Sequence, residues 1–163
     1  MSTPYVVREA MGPGDREACF AVRKEVFVAE QGVPENLEYD EYDAYDSGAV
    51  HVLALDEDGT ALGTGRLLHG EAAAAAKNGG GRAEQQTTGA LGRLAVTRRA
   101  RGRGVGAALV RGIEEAARAR GLTAVDLHAQ THALGFYERL GYEAYGPEFP
   151  DAGMPHRAMR RVL

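Results

Sequence analysis

The pattern of apolar and polar positions along the chain predicts strands that alternate with helices. Short runs with alternating or continuous apolar residues predict strands at residues 4–9, 49–56, 60–68, 90–97, 123–129, 141–147 and 154–162. Apolar residues that recur every three or four positions predict helices at residues 15–32, 104–120 and 132–140. The resulting order, β-α-β-β-β-α-β-α-β-β, predicts an α/β fold with one mixed sheet.

Two of the predicted helices have a clear apolar face. Asp15 is the predicted N-cap of the first helix, and that helix presents Cys19, Val22, Val26 and Ala29 on one side. The helix at 104–120 has the most continuous apolar face, and Gly121 is expected to end it. That face comprises Val105, Leu109, Gly112, Ile113, Ala116 and Ala117.

Residues 70–89 differ from the rest of the chain because they are rich first in alanine and then in glycine. This composition predicts a mobile loop inserted between two strands, which could contain one helical turn and has no chemical role. We find no internal repeat and no linker, so residues 1–163 are expected to form one domain.

Composition supports a globular protein and excludes some classes of site. The 163 residues are 44% hydrophobic and 26% charged, and the single cysteine, Cys19, excludes an internal disulfide framework or a multi-cysteine zinc site. The chain has no apolar run near the ~18 residues of a membrane span and no basic-then-apolar leader at its start. We therefore expect a cytoplasmic protein without a membrane partner.

Charge is unevenly distributed. The formal net charge of −4 disfavours nucleic acid as a partner, although four arginines lie within residues 98–103. Residues 35–46 are acidic, but their spacing does not fit a calcium loop, and no metal site is predicted. Glu38 and Asp40, with tyrosines nearby, could attract a cationic amine, or the stretch could be a solvated surface loop.

The segment RGRGVGAAL at residues 101–109 is the densest chemical signal. Glycines at 102, 104 and 106 allow close approach of a ligand to the main chain, and a following helix start offers unpaired N–H groups to a phosphate. A nucleotide-triphosphate loop is excluded because it requires a lysine. A dinucleotide fingerprint fits less well, because residues 97–101 intervene after the strand, and a flexible basic turn is the simpler alternative.

The pattern Arg101-x-x-Gly104-x-Gly106 resembles the coenzyme A pyrophosphate motif of the GNAT acetyltransferase superfamily. The preceding strand, ALGRLAV, and the later segment HALGFYERLGY resemble the family's central strand and terminal helix. Residues 22–43, LHAQTHA and GMPH resemble the ElaA-like subgroup. The resemblance covers nearly the whole chain apart from residues 70–89.

The resemblance implies a single-domain GNAT-like fold, with a mixed, mostly antiparallel sheet, two central strands that diverge, and flanking helices. It implies acetyl-coenzyme A as cosubstrate, no metal, and direct acetyl transfer to an amine within a ternary complex. A homodimer is an expectation by analogy only. The implied coenzyme-binding residues are Leu94, Ala95 and Val96, through main-chain contacts, and Arg101, Gly102, Arg103, Gly104, Val105, Gly106 and Ala107 at the pyrophosphate.

Acetyl transfer to an amine requires a group that accepts a proton and a group that donates one. Tyr137 matches the family's tyrosine and is the candidate acid at the coenzyme thiol, although it could be only a packed side chain. The candidate bases are His128, which shares a strand face with Asp126, and Glu30 at the end of the first helix. Both could instead be ordinary surface residues.

The remaining candidates concern the acceptor. Arg66 and Arg93 lie within apolar strands, where a charge needs a partner, so they could grip a substrate carboxylate or pair with Glu30 or Glu38. His156 is a candidate for the rim of a cleft, whereas His51 is better explained as a core histidine with satisfied hydrogen bonds.

The resemblance implies an acetyl-coenzyme A-dependent N-acetyltransferase that acts on a primary amine of a small molecule or on a peptide N-terminus. A non-catalytic acyl-coenzyme A binding or sensing module is the alternative, because it needs the phosphate-binding loop but no acid or base. A nucleic-acid binder is disfavoured, since no aromatic residues interleave with the arginines.

Overall fold

Seven strands form one mixed sheet in the part of the chain that the computed structural model describes, residues 4–76 and 87–163. Their spatial order is β1-β2-β3-β4-β5-β7-β6. The strands are β1 (Tyr5–Glu9), β2 (Val50–Asp56), β3 (Ala61–Leu68), β4 (Thr88–Val96), β5 (Ala124–Gln130), β6 (Glu143–Asp151) and β7 (Met154–Val162). The predicted strands and their order along the chain are confirmed.

Helical segments flank this sheet, and the fold is a single α/β domain. The α-helices are α1 (Gly12–Arg23), α2 (Glu35–Glu38), α3 (Glu71–Ala76), α4 (Val105–Ala119) and α5 (Leu134–Arg139). A π-helical segment, Lys24–Glu30, continues α1, and short 3-10 turns lie at Glu41–Asp43, Arg98–Ala100 and Thr131–Ala133. None of the helices in the described ranges has the length and apolarity to cross a bilayer.

The N-cap of helix α1 lies four residues earlier than its sequence signal suggested. Met11 occupies the N-cap position, and a proline lies in the first turn, where its missing N–H group costs nothing. Asp15 is therefore inside the helix, where its carboxylate accepts the main-chain N–H of Met11 at 2.8 Å. The prediction of Asp15 as N-cap was wrong, because the residue caps from within the first turn.

The π-helical segment explains a second difference. Cys19, Val22 and Val26 are buried as predicted, whereas Ala29 is exposed. A π-helix has a wider turn than an α-helix, with main-chain bonds such as Gln31 N–H to Val26 O at 3.0 Å. The wider turn shifts the inward face, so a period of 3.6 residues no longer predicts which side chain is buried.

The predicted loop at residues 70–89 is shorter in the structure at both of its ends. Residues 71–76 form α3, and β4 already begins at Thr88. Residues 77–86 lie outside the described residues, so the predicted mobility of this segment stays a prediction.

The chain divides into two compact units, and the first comprises Met1–Leu67 and Arg93–Ala116. In this unit, β1 and β3 both pair antiparallel with β2. Gly63 and Gly65 on β3 allow α4 to pack closely on the strand, since a Cβ atom at Gly63 would lie 2.8 Å from Leu109 Cδ1 and 2.9 Å from Ala95 O. The buried side of α4 matches the predicted apolar face, with Leu109 and Ile113 fully buried.

The second unit comprises Leu68–Gly92 and Ala117–Leu163. The parallel register between β4 and β5 runs from Thr88 opposite Ala124 to Leu91 opposite Leu127. Strand β7 pairs antiparallel with both β5 and β6, and a bulge interrupts the β6 register between Tyr145 and Phe149. Divergence of the two central strands, which the resemblance implies, stays a prediction.

Candidate functional site

The glycine-rich loop in the first unit ends at the N-terminus of α4. Gly102 and Gly104 have φ angles of +84° and +77°, which glycine adopts without steric cost. Within α4, the N–H of Ala108 bonds to Gly104 O at 3.0 Å. Helix geometry therefore leaves the N–H groups of residues 105–107 without a partner inside the helix, which is the arrangement that binds phosphate oxygens.

Contacts from β1 and β2 hold the loop in place. The hydroxyl of Tyr5 donates to Arg103 O at 3.3 Å, and the Arg103 guanidinium lies 5.6 Å from the centre of the Tyr5 ring. Arg103 Nη2 also lies 3.6 Å from an oxygen of Asp56. Arg103 therefore anchors the loop to the sheet of this unit, a role that the sequence did not suggest.

Arg101 pairs with Glu30 at the end of the π-helical segment. Arg101 Nη1 and Nη2 lie 2.7 and 2.8 Å from the two carboxylate oxygens of Glu30, and Arg101 Nε donates to Val96 O at 3.2 Å. The hydrogen bonds from Arg101 lower the pKa of the Glu30 carboxyl group. A lowered pKa makes Glu30 a weaker base, so this geometry does not favour the predicted role as general base.

A buried ionic network in the same unit is built on Arg23 of α1. Arg23 is 0% exposed and donates to Glu38 Oε1 at 2.9 Å, to Glu38 O at 2.9 Å and to both oxygens of Asp43 at 2.7 and 2.9 Å. Burial of charged groups requires such pairing. The network fixes the acidic segment from Glu35 to Asp43 against the first helix.

Arg66 is one of the two strand arginines, and it lies in the buried part of the network. It is 4% exposed, and its Nη1 donates to Asp40 Oδ1 at 2.7 Å and to Asp43 Oδ1 at 3.0 Å. Arg66 forms ion pairs, as one of the two predicted alternatives required, but its partners are Asp40 and Asp43 and not the expected Glu30 or Glu38. Because it is buried, it does not face solvent as a substrate-binding residue would.

Arg93 lies in the part of the network that is partly exposed to solvent. Its Nε lies 3.2 Å from Glu38 O and 3.3 Å from Glu38 Oε1, and its Nη2 lies 3.3 Å from Asp40 Oδ2. The predicted pairing of Arg93 with Glu38 is present. The side chains of Arg93 and Asp40 are each 29% exposed, so both remain accessible to a ligand.

Electrostatics within the network differ from group to group. Burial would raise the pKa of Asp43, but hydrogen bonds from Arg23 and from the Asp40 main chain hold that pKa well below its usual range. For Glu38, burial outweighs the attraction of Arg93 and Arg23 and raises the pKa. Asp43 is therefore the firmly ionised member, and it balances the charges of the buried arginines.

His51 is buried as predicted, but its hydrogen bonds are not satisfied. Both ring nitrogens lack a partner among the described residues, and the ring packs edge-on against Phe20 with centroids 5.7 Å apart. Burial lowers the pKa of His51 to about 4, so the ring is neutral at physiological pH. The expectation of a hydrogen-bonded core histidine was wrong, because the surroundings supply an aromatic ring instead of an acceptor.

Tyr137 is the buried member of helix α5 in the second unit. Its ring lies between Phe136 and Tyr142, with centroids 4.9 and 6.0 Å away in edge-to-face geometry. Burial raises the pKa of Tyr137 to about 12, which keeps the hydroxyl protonated at neutral pH. The protonated hydroxyl can donate a proton, but the raised pKa makes it a weaker acid than a tyrosine in water, and the assigned role stays a prediction.

The second unit places the β5 candidates in different surroundings. Asp126 is buried, where it accepts a hydrogen bond from the Tyr145 hydroxyl at 2.6 Å and pairs with Arg160. His128 is exposed and lies edge-on against Phe149, with centroids 4.9 Å apart. Asp126 is therefore committed to a structural ion pair, whereas His128 remains open to solvent.

His156 is buried, not placed at an open rim as expected. Its Nδ1 lies 2.8 Å from Met154 O, and its ring stacks on Phe149. Among the described residues, no group of three or more histidine, cysteine, aspartate or glutamate side chains is arranged to hold a metal ion.

Arg23 was not selected from the sequence, although a signal was present. It directly follows Val22 on the inward side of α1, so a charge interrupts an apolar face. A charge in an apolar helix face needs a partner, as the charges of Arg66 and Arg93 do in apolar strands. Asp126 is paired with Tyr145 of β6 and Arg160 of β7, and no pattern in the sequence near these residues indicated the pairing.

Comparison with known proteins agrees with the fold. The family described as acetyltransferase (GNAT) domain matches residues 15–163. YjcF of Bacillus subtilis, named as an uncharacterized N-acetyltransferase, is 35% identical over 143 residues, which cover 87% of this chain and 89% of YjcF.

Solved structures agree with this match. An acyl-CoA N-acyltransferase from Pseudomonas aeruginosa is similar with a TM-score of 0.76 and 29% identity, and the match covers 99% of this chain and 100% of that one. Escherichia coli ElaA has the same fold, with a TM-score of 0.76 at 23% identity and coverage of 98% and 99%. The loop at the start of α4 therefore lies in a chain that belongs to the GNAT acetyltransferase family, whose members transfer acyl groups from coenzyme A.

Proposed function

We propose that the protein transfers the acetyl group of acetyl-coenzyme A directly to a primary amine of a small molecule or peptide N-terminus. Membership of the GNAT family supports acyl transfer from coenzyme A. Acetyl as the acyl group, a primary amine as the acceptor and transfer within a ternary complex are the specific parts of the proposal.

The observation that carries the proposal is the N-terminus of α4. The amides of residues 105–107, together with the left-handed glycines before them, form a surface that fits a diphosphate. Arg98 and Arg101 add positive charge, and their side chains are 78% and 42% exposed. The main chain of Leu94, Ala95 and Val96 is the proposed contact for the pantetheine arm.

The proposed chemistry has three requirements. The amine must lose a proton before it attacks, because alkyl amines have a pKa of about 10 in water. A main-chain N–H of β4 stabilises the negative charge that develops on the thioester oxygen. Tyr137 gives its proton to the departing thiolate, and His128 or solvent accepts the proton from the amine.

Binding of the coenzyme is tested by a pair of glycine substitutions with equal backbone strain. Gly104 and Gly121 both have φ of +77°, but only Gly104 lies in the proposed diphosphate-binding loop. We expect Gly104→Ala to weaken binding of acetyl-coenzyme A at least about tenfold in calorimetry, because the added methyl group blocks close approach of the diphosphate. Gly121→Ala should bind normally, and equal affinity of both folded variants would contradict the proposal.

Catalysis is tested with Tyr137→Phe and a panel of primary amines. The substitution removes one hydroxyl group and keeps the ring, so the packing against Phe136 and Tyr142 is preserved. We expect kcat to fall roughly 10²-fold or more, while the affinity for acetyl-coenzyme A stays within about twofold. Unchanged kcat would remove Tyr137 from the mechanism without affecting the coenzyme assignment.

A further inference from the structure

Arg93 has a backbone conformation that is costly for a residue with a side chain. Its φ angle is +52°, in the left-handed region, although it lies inside strand β4. Such a conformation costs about 1–3 kcal/mol in a non-glycine residue and persists only where the surroundings enforce it. The guanidinium of this residue contacts Glu38 and Asp40.

The three arginines of the network differ in exposure and in the length of their contacts, although Arg66 Nε also lacks a hydrogen-bond partner among the described residues. Arg23 and Arg66 are buried and have contacts of 2.7–3.0 Å with carboxylates, whereas the contacts of Arg93 are 3.2–3.3 Å long. The contacts of Arg93 come from Nε and Nη2, and the side chain is 29% exposed. Burial and the nearby charge of Arg66 lower the pKa of Arg93, so its charge is incompletely compensated.

The network does not offer surplus negative charge to a cationic ligand. Its carboxylates, those of Glu38, Asp40 and Asp43, are matched by the three guanidinium groups. An additional cation would therefore gain little, whereas an anion gains the accessible donor of Arg93. This balance argues against the expectation that the acidic segment attracts a purely cationic amine.

The position of Arg93 connects this donor to the proposed reaction. Arg93 directly precedes Leu94–Val96, the residues that the proposed function assigns to the pantetheine arm. A planar guanidinium recognises a carboxylate through parallel hydrogen bonds, and the Arg93 guanidinium is held here by its contacts with Glu38 and Asp40. An accessible guanidinium beside the proposed pantetheine contact fits an acceptor that carries a carboxylate.

We propose that Arg93 binds the carboxylate of the acceptor, and that the acceptors are therefore amines that also carry a carboxylate group. This inference rests on the proposed function for the location of the acceptor. Arg93 is a substrate-binding residue in this assignment, and Arg66 and Arg23 hold the acidic segment against which it lies.

Matched pairs of ligands test the proposal by binding, which does not depend on turnover. Protein saturated with coenzyme A is titrated by calorimetry with amino acids and with the corresponding amino acid amides, which lack only the carboxylate charge. We expect at least one amino acid to bind about tenfold or more tightly than its amide. Equal affinities for every pair, or no binding of any amino acid, would overturn the inference.

Arg93→Asn separates recognition from structural support. Asparagine tolerates a left-handed conformation better than most residues, so the substitution removes the charge without adding backbone strain. We expect the preference for the carboxylate to shrink to within about twofold, while the affinity for acetyl-coenzyme A stays unchanged. Arg8→Gln, which removes an exposed arginine paired with Asp15, should keep the full preference.

Two outcomes distinguish this inference from the proposed function. If Arg93→Asn weakens binding of amino acid and amide equally, Arg93 has only a structural role and the inference fails, while acetyl transfer stands. If acetyl-coenzyme A itself does not bind to folded wild-type protein, the proposed function fails, and that result comes from a separate titration.

Discussion

Replacement of Arg23 by methionine tests the buried ionic network most directly. Methionine preserves much of the aliphatic stem but removes the guanidinium, which makes four hydrogen bonds to Glu38 and Asp43. The two carboxylates stay buried, with side chains 5% and 8% exposed. The substitution therefore removes only one partner of a buried ion pair and leaves buried carboxylates without their counter-charge, which is strongly destabilising.

The expected loss of stability follows from that burial. Removal of one partner from a buried ion pair costs about 3–5 kcal/mol, and in a domain of this size each kcal/mol lowers Tm by about 2–4 °C. We therefore expect Arg23→Met to lower Tm by roughly 6–20 °C. Lys24→Met is the matched control, because Lys24 pairs with Glu35 at 3.5 Å with both side chains more than half exposed, and such pairs contribute less than about 1 kcal/mol.

The pH dependence provides a second signature. The pKa of Asp43 is depressed in the folded state, so its contribution is present above the unfolded pKa of about 3.9 and is lost as pH falls through the folded value. The difference between wild type and Arg23→Met should therefore be full at pH 7 and shrink below about pH 4. Thermal unfolding followed by circular dichroism measures Tm, and urea unfolding at several pH values measures the pH dependence. Equal losses of stability for Arg23→Met and Lys24→Met would show that the buried pair contributes no more than the exposed one.

The remaining predictions concern a histidine, a glycine and the carboxylate at the loop. Burial lowers the pKa of His51 from 6.5 to about 4, so the unfolded state takes up a proton at higher pH than the folded state does. The free energy of unfolding of the wild type should therefore fall by about 2 kcal/mol between pH 7 and 5 in urea titrations, and His51→Leu should abolish that fall. Gly63→Ala should cost about 1–3 kcal/mol through the contacts with Leu109 and the main chain of β4, whereas Gly14→Ala, which meets no atom within 4 Å, should not destabilise the protein. Glu30→Gln should free Arg101 for the diphosphate and tighten binding of acetyl-coenzyme A about two- to fivefold at low salt. If the substitution instead removes the acidic limb of the pH–rate profile, Glu30 is the general base.

The sequence predicted those features that depend on nearby residues. The seven strands, the apolar face of α4 and the glycine loop all follow from short-range periodicity and from the conformational freedom of glycine. The same contiguous motif was enough to predict the family, which the match over residues 15–163 confirms. Local patterns succeed here because the chemistry of a helix N-terminus is itself local.

The tertiary structure alone decided how the charged and polar side chains are paired. Arg23 meets Glu38 and Asp43 across 15 and 20 positions of the chain, and Arg93 meets Asp40 across 53. The left-handed backbone of Arg93, the π-helical turn that exposes Ala29 and the missing partners of His51 likewise depend on what packs against each residue. Desolvation and ion pairing are set by atoms distant in sequence, so a pattern of residue types indicates that a buried charge needs a partner but does not identify the partner.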